Sequence, residues 1–173
     1  DGMIIKYDEN GAVEWAQSIG GSDDQQIRSV AETKDGYIVG GHFEGSSITV
    51  GNYELENTSN STLYSDGMII KYDVNGKVEW AQGIGGRSDD QITSVAETSD
   101  GGYIVGGYFN SSSITAGNYM LQNAGEYDGM IIKYDENGKV EFAKSIGGSS
   151  SDEITSVAEI GNDMFIAVGY FES

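Results

Sequence analysis

The chain has 173 residues and no cysteine, long enough for one domain with its own core and without the means for a disulfide framework or a thiolate metal centre. Acidic residues outnumber basic ones 28 to 9, and the net charge of −19 repels phosphate backbones and anionic lipid, which argues against nucleic acid and acidic membrane surfaces as partners. No apolar run approaches the roughly 20 residues of a membrane span, so membrane insertion is not expected. The chain opens at Asp1 without an initiator methionine and stops inside a repeat at Ser173, which points to a segment or processed product of a longer protein.

The first eight residues, Asp1-Gly-Met-Ile-Ile-Lys-Tyr-Asp8, return at Asp66 to Asp73 and again at Asp128 to Asp135. From Asp66 and from Asp128, 17 of 21 successive residues agree, so the chain divides into repeats 1–65, 66–127 and 128–173 within a single domain, 1–173. In chain order, Gly2 to Tyr7 reads as a strand, Asp8-Glu9-Asn10-Gly11 as a turn, and Ala12 to Ile19 as the returning strand of a hairpin. After Gly20-Gly21 and a polar loop, Ile27 to Thr33 and Tyr37 to Phe43 form a second hairpin on a Lys34-Asp35-Gly36 turn. Met3-Ile4-Ile5 is apolar on both faces, as in a sheet packed on two sides, and Gly40-Gly41 and Gly106-Gly107 suit strands approached closely by a neighbour. The predicted fold is therefore all-β, built of four-stranded antiparallel, β-propeller-like blades.

The run Asp-Gly-Met-Ile-Ile-Lys-Tyr-Asp, the Val-Glu-Trp-Ala strand, the Ile-Gly-Gly loop and Ser-Val-Ala-Glu-Thr-Ser-Asp-Gly-Gly-Tyr-Ile-Val-Gly-Gly-Tyr together resemble the SBBP β-propeller repeat over nearly the whole chain. The resemblance implies blades of large bacterial surface or secreted proteins, an extracellular or cell-surface location, and no catalytic residue. With strands lettered A to D outward from the propeller axis, it also implies that the chain begins at strand C. Its order is then C-D, A-B-C-D, A-B-C-D, A-B, three blades in circularly permuted phase with open edges at both ends. Two occupants of those edges are expected: a homodimer completing a six-bladed ring, or neighbouring repeats of a longer chain.

The D-to-A and B-to-C loops should emerge on one face. It would carry Ser22-Asp23-Asp24, Arg87-Ser88-Asp89-Asp90, Ser149-Ser150-Ser151-Asp152 and the connections 44–65 and 110–127. Within the connections, Ile48 to Leu55 reads as a tight hairpin on Gly51-Asn52, and Ile114 to Leu121 repeats it. Two readings of this face stand. In one, Tyr53 and Tyr119 lie beside Asp23, Asp24, Asp89, Asp90 and Asp152 and rim a site for a sugar or peptide, with calcium at the same aspartates as a further option. In the other, the hairpins cap the blade and bury Ile48, Leu55, Ile114 and Leu121.

Catalytic patterns are weak. The one histidine, His42, aligns with Tyr108 and Tyr170 and reads as a packing position. Trp15 and Trp80 align with Phe142 and read as blade core, and the Asp8, Asp73 and Asp135 turns read as hairpin turns. Asn57-Thr58-Ser59, Asn60-Ser61-Thr62 and Asn110-Ser111-Ser112 match the glycosylation pattern, expected to be coincidental in a bacterial protein. No cofactor is expected. The leading functional expectation is a non-enzymatic scaffold or interaction module, ahead of a lectin-like or peptide-binding propeller and of a hydrolase using acids on the loop face.

Overall fold

The computed structural model describes residues 1–59, 62–161 and 164–172. Strands β1 (Gly2–Tyr7) and β2 (Val13–Ile19) pair as a two-stranded antiparallel sheet. A four-stranded sheet follows in the order β3 (Gln25–Thr33), β4 (Gly36–Phe43), β7 (Asp66–Asp73), β8 (Val78–Ile84). The next has the order β9 (Asp90–Glu97), β10 (Tyr103–Phe109), β13 (Asp128–Tyr134), β14 (Val140–Ile146), and β15 (Asp152–Glu159) pairs with β16 (Phe165–Phe171) to finish. The phase is thus C-D, A-B-C-D, A-B-C-D, A-B, as expected. Between B and C of each complete blade lies a short hairpin, β5 (Ser47–Val50) with β6 (Tyr53–Glu56) and β11 (Ser113–Ala116) with β12 (Tyr119–Gln122). Among the described residues no helix is long and apolar enough to cross a membrane.

The C-D turns form for a local reason that every copy repeats. Asp8 Oδ1 accepts from the Asn10 and Ala12 amides at 2.9 and 2.8 Å, as Asp73 does from Asn75 and Lys77 and Asp135 from Asn137 and Lys139. Gly11, Gly76 and Gly138 supply the left-handed backbone, with φ near +80°. The A strand is two residues longer than its apolar run suggested and is bulged, at Arg28, Thr93 and Thr155. The bulge thrusts a carbonyl toward strand B, so a Cβ at Gly41, Gly107 or Gly169 would overlap the oxygen of Gln26, Gln91 or Glu153.

Neighbouring blades meet through a second set of copied contacts. Gly40 lies under Ile92 and Val95 of the following A strand, and Gly106 under Ile154 and Val157. The Val95 amide donates to Ser29 Oγ and the Val157 amide to Ser94 Oγ, each at 3.1 Å. At the other end of the A strand, Glu97 accepts from the Lys34 amide, and Glu159 from the Ser99 amide and hydroxyl. Trp15 and Trp80 sit on strand D and stack on Tyr72 and Tyr134 of the next blade, so the rings at this position join blades. The three apolar clusters fill the three blade junctions.

Each short hairpin lies between the D strands of two neighbouring blades. β5 reaches β2 while β6 lies on β8, and β11 reaches β8 while β12 lies on β14. Ile48, Leu55, Ile114 and Leu121 are buried there, in agreement with the capping reading. One contribution was not anticipated. The lysine of the Ile-Ile-Lys-Tyr run is buried in both complete blades, Lys71 between Asp35 and Glu79 and Lys133 between Asp100 and Glu141. In the opening half blade Lys6 pairs with one acid among the described residues, Glu14 at 2.6 Å, and remains partly exposed.

Candidate functional site: the loop face

Hydrogen bonds between the D-to-A and B-to-C loops place both on one face: the Glu44 amide donates to the Asp24 carbonyl and the Asn110 amide to the Asp89 carbonyl. The Asp35 and Asp100 turns, with their lysines, lie at the opposite ends of the strands.

The sheet register aligns Gln25, Asp90 and Asp152 as one position, each facing the phenylalanine that ends strand B. All three are buried, and each accepts from the second amide of the preceding Gly-Gly pair: Gly21 to Gln25 at 3.0 Å, Gly86 to Asp90 at 2.7 Å, Gly148 to Asp152 at 2.6 Å. Asp90 also takes the Ser111 amide and hydroxyl, and Asp152 the Glu172 amide. This side chain therefore laces the D-to-A loop to the end of strand B. The preceding position differs: Asp24 is exposed, while Asp89 accepts from the Ser65 amide and hydroxyl at 3.0 and 3.1 Å. Asp23 is half-buried and accepts from Ser22 Oγ at 2.5 Å.

Two further carboxylates, not singled out from the sequence, join the buried aspartates. Asp66 and Asp128 begin strand C, where the Thr58 and Ala124 amides hold one oxygen of each at 2.8 and 3.2 Å. The other oxygen, Oδ1, is buried with no hydrogen-bond partner among the described residues. Asp128 Oδ1 and Asp152 Oδ2 both lie within 3 Å of where a Gly147 Cβ would stand, at 2.6 and 2.8 Å, so two carboxylates converge on one glycine at the blade junction. Burial raises the Asp66 carboxyl. Burial first, opposed by the Ser111 and Gly86 donors and aided by Asp66, pushes Asp90 up to about 7. The arrangement can hold a proton near neutrality. Among the described residues no three acidic or histidine groups gather to hold a metal ion. The repetition of Asp-Gly-Met-Ile-Ile is the available signal for Asp66 and Asp128, but a strand pattern alone accounts for it equally well.

Tyr53 and Tyr119 are not brought to the aspartates. Their hydroxyls donate to the Glu79 and Glu141 carbonyls, at the turn end of strand D, because the rim hairpins fold back along that strand. Tyr53 instead borders an open cleft of about 520 Å³ with Asp35, Glu79, Trp80, Glu136 and Asn137. The expected grouping of tyrosines with loop aspartates is thus divided between the two faces. His42 is buried, its Nδ1 has no hydrogen-bond partner among the described residues, and burial assisted by Arg28 pushes it down to about 4. Of the glycosylation-like sites, Asn60 lies outside the described residues. Asn57 donates to the Tyr64 carbonyl and Asn110 to that of Glu126.

No protein-family model matches the chain. It is 28% identical over 170 residues to the regulatory protein FlaEY of Caulobacter vibrioides, an alignment covering 96% of this chain and 18% of that protein. It is 27% identical over 203 residues to an uncharacterized WD repeat-containing protein of Acanthamoeba polyphaga mimivirus, covering 99% of this chain and 14% of the other. The chain thus spans less than a fifth of either relative, yet both likenesses run through nearly all of it. The copied four-stranded antiparallel sheets make the chain an all-β repeat protein with β-propeller-like blades, and the likeness to a WD repeat-containing protein accords with that.

Proposed function

We infer that the chain is a non-enzymatic scaffold module, a run of SBBP-like blades that spaces or presents surfaces on the outside of a bacterial cell. The observation that carries the reading is the use made of the copied polar side chains. Gln25, Asp90 and Asp152 lace loops, Ser29, Ser94, Glu97 and Glu159 join blades, and Lys71 and Lys133 bind two acids each within a blade. The names of the two relatives, a regulatory protein and a WD repeat protein, accord with a module of this kind. The surface location rests on the resemblance of the repeat.

Alanine substitution tests the assignment of the aspartates. Asp90→Ala strands the Gly86 amide and the Ser111 donors in a buried loop, a loss of about 2–3 kcal/mol, or ~4–12 °C in the thermal midpoint of a domain this size. Asp24→Ala, at an exposed loop tip, is expected to change stability by less than about 0.5 kcal/mol. Both results should be the same in calcium and in chelator. An Asp90→Ala protein of undiminished stability, or a midpoint in the parent that rises with calcium and not in this variant, would replace the scaffold reading with a ligand or metal site.

A further inference from the structure

The cleft beside Tyr53 lies on the turn face, and two neighbouring blades build it. The blade of β3, β4, β7 and β8 contributes Asp35 from its A-B turn and Glu79 and Trp80 from strand D, and the blade of β9, β10, β13 and β14 contributes Glu136 from its C-D turn. Asp35 and Glu136 also border a second cleft, of about 370 Å³, together with Glu97 of β9. The two openings thus share a pair of acids as their common wall.

Every acid of this group keeps acceptor capacity. Lys71 holds Asp35 Oδ1 and Glu79 Oε2 at 2.7 and 3.1 Å, and the Lys34 amide donates to Glu97 Oε1 at 2.8 Å. Among the described residues the second oxygen of each, and both oxygens of Glu136, have no hydrogen-bond or ion-pair partner. Tyr103 opens onto the same acids. It is 2% exposed and its ring packs against Trp80 at 5.8 Å, yet its hydroxyl has no hydrogen-bond partner among the described residues and faces Asp35, Glu97, Glu79 and Glu136. Burial first, and then these four charges, hold its proton above the ordinary range. A buried hydroxyl without a partner is costly, and one beside a cleft is a contact for what enters there.

The sheets do not require this set of side chains. Val74 takes the place of Glu136 in the preceding C-D turn, Phe165 that of Tyr103 in β16, and Phe142 that of Trp80 in β14, with the strand pairing intact in each. Acids on both sides of the cleft call for a cation. An opening of about 520 Å³ is far larger than a metal ion, and among the described residues no three acidic groups gather to hold one. A guanidinium carries five donors in a plane, reaches acceptors in several directions, and sits beside aromatic rings more readily than a strongly hydrated ammonium.

We propose that this junction cleft binds an arginine side chain of a partner peptide, its guanidinium taken by the free oxygens of Asp35, Glu79, Glu97 and Glu136, with the Tyr103 hydroxyl as a further acceptor. The proposal deepens the scaffold reading and rests on it, since it names one surface that the blades present.

The test is an NMR titration of the folded chain with the peptide acetyl-Gly-Gly-Arg-Gly-Gly-amide, at physiological ionic strength so that the net charge of −19 alone gathers little of it. Two indole N–H signals report the outcome: Trp80 lines the cleft, while Trp15 donates to the Val74 carbonyl at 3.1 Å in another junction. The Trp80 signal should move saturably as peptide rises to about 10 mM, and the Trp15 signal should stay in place. Glu136→Val and Tyr103→Phe, each bringing in the residue of another copy, should weaken binding about three- to tenfold with the rest of the spectrum unchanged. The peptide with lysine in place of arginine should bind more weakly. An unmoved Trp80 signal would overturn the proposal, as would variants that both bind like the parent, a lysine peptide bound as tightly, or calcium chloride moving the Trp80 signal where the peptide does not. The scaffold reading fails separately, on the stability of Asp90→Ala at the opposite face.

Discussion

Gly40→Val is expected to be among the most damaging single substitutions in the chain, although it adds only apolar atoms. Its Cβ alone would stand 2.5 Å from Ile92 Cγ2 and 2.7 Å from Val95 Cγ1, both buried and held by the β9 backbone. Overpacking of this kind costs about 1–3 kcal/mol and sometimes more. Here both blades would have to separate, so a loss of about 3 kcal/mol is expected, lowering the thermal midpoint by ~6–12 °C. Val168→Gly makes the reverse change at the position that the sheet register aligns with Gly40, and should leave the midpoint within about 3 °C, because Val168 is half exposed. Differential scanning calorimetry of the two variants checks the pair. Equal effects would mean that Gly40 answers to its own sheet and not to the next blade.

The second large effect concerns acidity and appears in variants more clearly than in the parent. Asp90 is raised from 3.8 to about 7 on folding, so its contribution is fully present below pH 4 and is lost as pH rises through 7. His42 is lowered from 6.5 to about 4, so its contribution is present above 6.5 and is lost as pH falls toward 4. A tenfold change in acid strength corresponds to about 1.4 kcal/mol, so each group changes stability by roughly 2 kcal/mol between pH 8 and pH 5, in opposite senses. Asp90→Asn keeps an acceptor for Gly86, as Gln25 does for Gly21 in the first copy, and leaves His42 unopposed; it should lose stability relative to the parent on acidification from pH 8 to 5. His42→Tyr, the residue of the other two copies, should gain stability relative to the parent over the same interval. Thermal midpoints at the two pH values measure both. Parallel responses of the two variants would show that these groups are not the opposing pair.

The order of strands was legible because it rests on copies: three identical octapeptides fix the phase, and one Asp-x-Asn-Gly turn per copy fixes each C-D hairpin. The burial of Ile48, Leu55, Ile114 and Leu121 followed from alternation within the rim hairpins. The direction of those hairpins did not, because it is set by their contacts with β2, β8 and β14, strands of two different blades in each case. Tyr53 and Tyr119 were therefore expected on the wrong end of strand D. The buried lysines were hidden for a related reason: the Ile-Ile-Lys-Tyr run gives no sign that acids from a turn and from strand D close over Lys71 and Lys133. The loop aspartates looked alike in sequence, and only the sheet register separates exposed Asp24 from buried Asp90. The same register is what aligns Val168 with Gly40 and Gly106.

Amide hydrogen exchange on the isolated chain tests most directly that these repeats are blades in the phase C-D, A-B-C-D, A-B-C-D, A-B, with one unpaired edge on β1 and one on β16. The inner strands β4, β7, β10 and β13 are paired on both sides and should exchange slowly throughout. In β1 and β16 the alternate amides that face away from β2 and β15 have no partner and should exchange at least about a hundredfold faster than their counterparts in β7 and β10. Protection of β1 and β16 equal to that of β7 and β10 in a dilute monomer would contradict the account.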